Sequence, residues 1–222
     1  MTVAAVILSA TTEGALAETM GQPRVRRLVD LAWSGGALPI VVVAADPDGA
    51  VAKALVGSEA THCDPAPVER GPVGQMVHGA ERARDEVHET TGFLIWPARM
   101  TWVGPETVTS LIEAHGLSPD AVLRPAWDGE AGWPVLVPMA HLAILRTIPR
   151  DRMPPDVIAD LVAEVPAQVL DLGDPGATHD ASVAAEDLPA YQGPADPPGG
   201  HTHEWGADVA AEAGLEEEPA GR

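Results

Sequence analysis

Short apolar runs rich in β-branched residues alternate along the chain with segments of helical spacing. Residues 3–8 and 39–45 form two such runs, each typical of a buried strand. Between them, apolar side chains recur every three or four positions over residues 25–33, which predicts a helix that packs on a sheet. A strand, a helix and a second strand in close succession form a right-handed unit, so the two strands are expected to be parallel.

The same alternation continues along most of the chain. Residues 127–130, Trp-Asp-Gly-Glu, separate two further apolar runs and are typical of a turn. The whole pattern predicts a three-layer, Rossmann-like α/β fold, in which a mainly parallel sheet carries helices on both faces. The remaining predicted strands are residues 93–96, 121–125, 134–138 and 167–172, and the remaining predicted helices are residues 50–56, 73–85, 104–115, 138–145 and 155–165.

The composition changes near Glu186. Residues 193–200 consist mostly of proline and glycine, which do not sustain a regular helix or strand, and the chain beyond them is rich in acidic residues. We therefore predict one domain over residues 1–190 and a flexible acidic tail over residues 191–222. Such a tail offers a docking segment to a partner protein.

The charge balance excludes several classes of partner. The chain has 33 acidic and 13 basic residues, which gives a formal net charge of −20. Nucleic acids and anionic membranes are bound mainly through cationic side chains, so we predict binding to neither. No apolar run is long enough for a transmembrane helix, and the single cysteine, Cys63, excludes an intrachain disulfide. These features predict a cytoplasmic protein.

The first strand leads into a loop that carries candidate phosphate-binding groups. Residues 8–11, Leu-Ser-Ala-Thr, are followed by Met20-Gly21 and by Arg24. This order resembles the N-terminal signature of the MobA-like nucleotidyltransferases, which reads roughly LAAG-x-S-x-R-M-G-x-x-K. Here Arg24 stands at the lysine position, and the first basic position of the signature falls at Glu18 or Thr19.

Three later stretches carry the same resemblance in the same order. Residues 71–79 are similar to the family segment G-x-G-S-S-L-x-x-G, which precedes a helix near the nucleobase. Residues 124–135 are similar to RP-x-[YF]-x-G-x-x-G-[HN]-P-V, most closely in the MocA-like cytidylyl-transferring branch. Asp180 and residues 186–188 resemble the closing D-[IV]-D-T-P-E-D-L. The resemblance implies a fold of the nucleotide-diphospho-sugar transferase type and transfer from CTP or GTP to a molybdopterin, assisted by Mg²⁺.

The chain departs from the family pattern at the metal positions. In the family loop G-D-x-P-x-[VI]-x-P-E-T the aspartate holds Mg²⁺, and alignment of its end with residues 105–107 places Arg99 at that aspartate. The second aspartate of the closing motif falls at Ser182, which leaves Asp180 as the candidate metal ligand. Because Mg²⁺ takes hard oxygen ligands, an arginine at this position disfavours the metal.

Taken together, the resemblance and the departures yield a set of candidate site residues, and no catalytic residue is assigned. Alternatives remain for parts of this set: an ordinary strand-to-helix loop, a solvated helix arginine at position 24, a surface arginine or an ion pair with a nearby acid at position 99, an internal ion pair of the arginine at position 124, and simple packing of the tryptophans. The candidate nucleotide-binding residues are Leu8, Ser9, Ala10, Thr11, Arg24, Gly74, Gln75 and Arg99; the candidate substrate pocket is Arg124, Trp127, Asp128 and Trp133; the candidate metal ligand is Asp180.

Three functions remain open at this point. The first is a divergent nucleotidyltransferase-fold protein, a pseudoenzyme that binds a nucleotide or a molybdopterin-type cofactor with weak or absent transfer. The second is an active transferase that carries CTP or GTP to molybdopterin. The third is a non-catalytic accessory or structural subunit of a partner enzyme, attached through the acidic tail. Fold by itself does not choose among them.

Overall fold

The computed structural model describes residues 2–193, so most of the predicted acidic tail lies outside the described residues. In the described part, the strands are β1 (Thr2–Leu8), β2 (Glu18–Thr19), β3 (Gln22–Pro23), β4 (Ile40–Val43), β5 (Ala60–Cys63), β6 (Thr90–Pro97), β7 (Val122–Trp127), β8 (Glu130–Ala131), β9 (Val135–Pro138) and β10 (Ala167–Asp171). The helices are α1 (Thr12–Leu16), α2 (Arg24–Ser34), α3 (Ala50–Ala54), α4 (Gly71–Glu86), α5 (Pro105–Leu117), α6 (Leu142–Leu145) and α7 (Pro154–Glu164).

One large sheet runs through the domain in the order β10-β7-β9-β6-β1-β4-β5, with β8 paired to β7. Its centre, β1, is parallel to both β4 and β6, and the register pairs Ala5 with Ile40 and with Leu94. The β10–β7 and β4–β5 pairs are also parallel, whereas β9 is antiparallel to its neighbours β6 and β7. The predicted three-layer α/β fold with a mainly parallel sheet is confirmed.

The two faces of the sheet build two separate cores. Along β1, Ala5 and Ile7 belong to one core together with residues of α2 and α5, while Ala4 and Val6 belong to the other together with residues of α4 and α7. This alternation follows from the two-residue period of a strand, and each large side chain that is fully buried contributes about 1.5–3 kcal/mol. A helix layer on each face explains why β1 is apolar at nearly every position.

Helix α4 approaches the sheet more closely than an ordinary side chain would allow. A Cβ placed on Gly79 would lie 2.3 Å from Cγ1 of Val6 on β1 and 3.0 Å from Cγ2 of Val43 on β4. Gly79 is the last glycine of the stretch that resembles the family segment at residues 71–79. Its absent side chain therefore permits the short distance between helix and sheet. The first turns of α4 lie at the carboxyl edge because the helix follows the parallel strand β5.

Strand β5 was not predicted. It has a single buried residue, Cys63, and its sequence Ala-Thr-His-Cys lacks the apolar run of the central strands. Trp96, at the end of β6, is fully buried in the core, and its Nε1 donates to the Met100 carbonyl at 2.8 Å. No helix in residues 2–193 is long and apolar enough to cross a bilayer.

The buried histidine of α5 gives a first testable prediction. His115 is fully buried, its Nε2 lies 3.2 Å from Oγ1 of Thr91, and its Nδ1 has no hydrogen-bond partner among the described residues. Burial lowers the pKa of His115 in the folded protein, even though Asp120 opposes the shift. The unfolded chain therefore binds the proton first as the pH falls, and stability is lost as the pH falls below the ordinary histidine value of about 6.5.

We expect the free energy of unfolding to rise with pH between about 5.5 and 7, by up to about 1.4 kcal/mol per pH unit for one proton. His115→Gln is expected to flatten this slope in urea titrations at several pH values. The exposed His88 provides the matched control, because His88→Gln removes a histidine that stays in water in both states. Equal slopes in wild type and His115→Gln would contradict the prediction.

Candidate functional site

The loop after β1 lies at the carboxyl edge of the sheet, between its two parallel neighbours. The Ser9 N–H donates to the Val43 carbonyl of β4 at 3.0 Å, and the Ala98 N–H donates to the Leu8 carbonyl at 2.8 Å. Open parallel sheets bind ligands at this edge, where loops from adjacent strands converge. Residues 8–11 therefore stand where the sequence predicted a ligand loop.

Hydroxyl groups hold this loop in shape. Ser9 Oγ donates to the Thr11 carbonyl at 2.9 Å, and Oγ1 of Thr11 accepts the Gly14 N–H at 2.9 Å, which caps α1. Oγ1 of Thr12 donates to the Ala45 carbonyl at 2.6 Å and so ties α1 to the end of β4. Ala10, at the tip, is exposed. These hydroxyls therefore position the loop backbone.

Arg24 is a cationic side chain that lines a cleft at this edge of the sheet. It is the first residue of α2, its Nη1 donates to the Gly14 carbonyl at 3.3 Å, and its Nε is buried with no partner among the described residues. Burial lowers the pKa of Arg24 from its usual value. The side chain lines a cleft of about 360 Å³, which we call cleft A; its other lining residues are Glu18, Thr19, Met20, Trp102 and residues 181–186.

Arg99 and Asp180, which are far apart in sequence, meet in an ion pair. One Asp180 oxygen accepts from Nη2 of Arg99, and the other accepts from the backbone N–H and Oγ of Ser182 at 2.8 and 2.6 Å. The Ala181 N–H also donates to the Arg99 carbonyl at 2.8 Å, so backbone and side chain join the same two segments. The side chain of Asp180 is 13% exposed and that of Arg99 is 70% exposed.

This arrangement does not fit a divalent cation. Mg²⁺ requires oxygen ligands, whereas here one carboxylate already accepts three hydrogen bonds and its neighbour is a guanidinium. Among residues 2–193, no three His, Cys, Asp or Glu side chains are grouped so that they could hold a metal ion. Asp180 therefore serves the ion pair, and a bound cation would have to displace Arg99 from it.

Trp102 forms the wall behind this ion pair. Its Nε1 donates to the carbonyls of Asp180 and Val183 at 3.0 and 3.1 Å. The guanidinium of Arg27 lies 5.9 Å from the ring centre and its Nε donates to the Thr101 carbonyl at 3.1 Å, while burial lowers the pKa of Arg27. Trp102 also lines a second cleft of about 400 Å³, on the side of Glu106 and Tyr191.

Gly74 and Gln75, which were also predicted to bind a nucleotide, make contacts within the protein that hold the start of α4 in place. Gln75 Oε1 accepts the Ala66 N–H at 2.8 Å and its Nε2 donates to the Ala66 carbonyl at 2.9 Å, so the amide pins the loop between β5 and α4. A Cβ on Gly74 would lie 2.2 Å from Cβ of Arg70, which explains the glycine by close packing. Both residues lie at the carboxyl edge, but their contacts are internal.

The predicted substrate pocket falls on the hairpin of β7 and β8. Asp128 and Gly129 form its two-residue turn with φ angles of 50° and 78°, as the Asp-Gly pair favours. Arg124 Nη2 donates to the Ala131 carbonyl at 2.9 Å, its Nε is buried without a partner among the described residues, and burial lowers its pKa. The hydrogen-bond partner of Arg124 is thus a backbone carbonyl, whereas the internal ion pair considered above would require an acidic side chain.

The two tryptophans of this pocket face the segment that ends the domain. The Trp127 ring packs edge-on against His179 with centroids 5.2 Å apart, and the Trp133 N–H donates to the Ala177 carbonyl at 2.8 Å. Residues 175–180 are therefore held on one side by the hairpin and on the other by Trp102 and Arg99. This packing fixes the position of Asp180.

A cysteine–histidine contact near the same edge was missed because it joins separate elements. Cys63 Sγ, at the end of β5, lies 3.2 Å from Nε2 of His78 on α4. The sequence drew attention only to the adjacent His62, whose Nε2 lies 2.8 Å from the Ala44 carbonyl. Because burial raises the pKa of Cys63, its thiol stays protonated at neutral pH, which argues against a nucleophile.

Comparisons with known proteins agree with the α/β fold. Residues 12–165 match the family model described as the MobA-like NTP transferase domain. A search of curated protein sequences gives no match.

Solved structures show the same fold at low sequence identity. A Mycobacterium tuberculosis protein solved as a manganese complex is 15% identical with a TM-score of 0.61, and the match covers 78% of this chain and 89% of that one. The 2-C-methyl-D-erythritol 4-phosphate cytidylyltransferase of Thermus thermophilus is 15% identical with a TM-score of 0.59, over 85% and 96%. A CMP-2-keto-3-deoxy-manno-octonic acid synthetase in complex with CTP is 13% identical with a TM-score of 0.57, over 78% and 90%.

Proposed function

Because the chain belongs to the MobA-like NTP transferase family, with residues 12–165 matching its domain, we propose that it binds a nucleotide or a molybdopterin-type cofactor and transfers nucleotidyl groups weakly or not at all. The observation that carries this proposal is the ion pair between Arg99 and Asp180. By resemblance, these residues stand in the two loops from which family members hold Mg²⁺. A salt bridge joins the loops here.

The ion pair bears directly on transfer chemistry. Transfer of a nucleotidyl group breaks the bond between the α- and β-phosphates, and negative charge develops on the departing pyrophosphate. Metal ions normally stabilise that charge and orient both partners. Arg99 could contribute positive charge, but its guanidinium is already matched by Asp180. The site therefore supports binding better than it supports departure of pyrophosphate.

Binding has its own support on the same edge. Arg24 lines cleft A, and among the described residues its guanidinium makes one hydrogen bond, from Nη1 to the Gly14 carbonyl at 3.3 Å. A ligand phosphate oxygen is a suitable acceptor, since guanidinium and phosphate form strong charge-assisted hydrogen bonds. The complex of a structural neighbour with CTP supports a nucleotide as the ligand class. The MocA-like stretch at residues 124–135 supports a cytidine nucleotide or a molybdopterin-type ligand.

Calorimetric titration of the full-length protein tests this proposal. We expect cytidine or guanosine nucleotides to bind with an affinity that changes little between buffers containing Mg²⁺ and buffers containing EDTA. Arg24→Ala is expected to weaken binding by about 1.5–3 kcal/mol, the range for a hydrogen bond to a charged group. Arg24→Lys, which retains the charge, should lose less. Arg26→Ala, on the same helix but paired with Asp30, is the matched control.

Two outcomes would contradict the proposal. Tight binding only in the presence of Mg²⁺ would show that a cation displaces Arg99 from Asp180. Equal losses in Arg24→Ala and Arg26→Ala would show that the effect comes from helix α2 as a whole rather than from a contact with the ligand.

A further inference from the structure

The charges around cleft A bear on which ligands it accepts. We propose that cleft A selects a ligand with a single phosphate group, such as a nucleoside monophosphate, over the corresponding diphosphate and triphosphate. This inference rests on the proposed function, because it concerns the ligand of the same site. It runs against the triphosphate substrate that the family resemblance implies.

The lining of cleft A carries more negative than positive charge. Among its described lining residues, Arg24 is the cation, whereas Glu18 and Glu186 are anions. The first basic position of the family signature falls at Glu18 or Thr19, so the cation that the resemblance places there is absent and a carboxylate lies at or next to its position. A phosphate monoester has a charge of about −1.5 to −2 at neutral pH, which one arginine can match in part.

The other nearby arginines are already engaged. Arg99 is paired with Asp180, and Arg27 is directed to the Thr101 carbonyl and lies over the face of Trp102. A second and a third phosphate would therefore add negative charge beside Glu18 and Glu186 without gaining a further cation. In a partly exposed site, each repulsion at a separation of several ångströms costs about 0.5–1 kcal/mol.

Metal chelation is the usual way in which a protein tolerates a triphosphate. Here the carboxylate that would take part, Asp180, accepts hydrogen bonds from Arg99 and from Ser182. The engagement of Asp180 is thus the same feature that weakens transfer and that disfavours long phosphate chains. One phosphate at the Arg24 guanidinium, which lines cleft A, is the arrangement that these contacts allow.

Titration of the full-length protein with CMP, CDP and CTP in EDTA tests the inference, and GMP, GDP and GTP form a second series. We expect affinity to fall along each series, with the monophosphate about tenfold tighter than the triphosphate, as two repulsions of this size would give. A triphosphate that binds as tightly as the monophosphate, or more tightly, would overturn the inference while leaving the proposed function intact. Absence of binding by all six nucleotides would instead overturn nucleotide binding, the part of the proposed function on which this inference rests.

Two variants probe the cause. Glu18→Gln removes one carboxylate from cleft A and should strengthen CTP binding by about twofold to fivefold, and CMP binding by less. Asp180→Asn releases Arg99 from its partner and should strengthen CTP binding in the same selective way. Glu164→Gln, at the exposed end of α7 near the opposite edge of the sheet, makes the same change in net charge and is the control. If Glu18→Gln resembles Glu164→Gln, the inference is wrong.

Discussion

Full-length protein mixed with CTP or GTP and a molybdopterin acceptor is expected to release pyrophosphate slowly. The rate should be at least about 10²–10³-fold below that of a transferase whose site stabilises the charge of the departing pyrophosphate, because removal of one stabilising group typically costs that factor. The reason lies in the two loops that meet at Asp180. Arg99 and Ser182 stand where the family resemblance places aspartates, and the remaining carboxylate is held by both of them. A coupled pyrophosphate assay measures the rate directly.

The double variant Arg99→Asp with Ser182→Asp provides the matched test. It returns two carboxylates beside Asp180 and removes the guanidinium that competes with a cation. We expect this variant to gain Mn²⁺ binding in calorimetry and a measurable, EDTA-sensitive release of pyrophosphate. Recovery is expected to be partial, because the loop at residues 8–11 also departs from the family signature. Robust EDTA-sensitive turnover by the wild-type protein would contradict the whole expectation and show that other acids hold the metal.

Replacement of Asp174 is expected to lower the free energy of unfolding more than the other substitutions proposed for this protein. This carboxylate is 2% exposed and accepts from the Gly104 N–H at 2.9 Å, from Oγ1 of Thr107 at 2.7 Å and from the Gly176 N–H at 2.8 Å. Gly104 caps helix α5 without a side chain of its own. Asp174 therefore supplies the helix cap from a distant part of the chain, and its negative charge also suits the N-terminal end of the helix dipole.

We expect Asp174→Ala to lower the free energy of unfolding by about 3 kcal/mol or more, because two N–H groups and a hydroxyl lose a charged acceptor in a buried place. Urea denaturation monitored by circular dichroism measures the change. Asp171→Ala is the matched control, since the exposed Asp171 accepts one bond of 3.3 Å from the Gly173 N–H. Similar losses for the two variants would mean that the cap contributes little.

The local pattern of apolar residues was sufficient to predict the strands that are buried on both faces and the helices that are buried along one stripe. Residues of β1 and β4 are apolar because a helix layer covers each face, and α2 shows its buried stripe at Val25, Leu28 and Val29. Strand β5 escaped prediction because it lies at an edge of the sheet and is only partly buried. The insertion of β9 between β6 and β7 in the opposite direction was also beyond local pattern, since a run of apolar residues does not specify its neighbours.

Side-chain partners were the least predictable part of the candidate site. The sequence singled out Arg99 and Asp180 through their motif positions, but their contact spans 81 residues and appears only in three dimensions. Gln75 lies where the family segment approaches the nucleobase, yet its amide is used by Ala66, a contact that depends on the path of the preceding loop. Likewise, His78 reaches Cys63 from another element, whereas the sequence pointed to the adjacent histidine.

The central position of β1 in the sheet has a consequence for co-translational folding of this domain. Strand β1 is synthesised before both strands that flank it: it pairs on one side with β4 and on the other with β6, from Thr2 opposite Thr90 to Leu8 opposite Pro97. The edge of β1 that pairs with β6 therefore stays open until residue 97 has left the exit tunnel. Such long-range parallel pairing forms slowly and leaves an apolar strand edge exposed to aggregation over this interval.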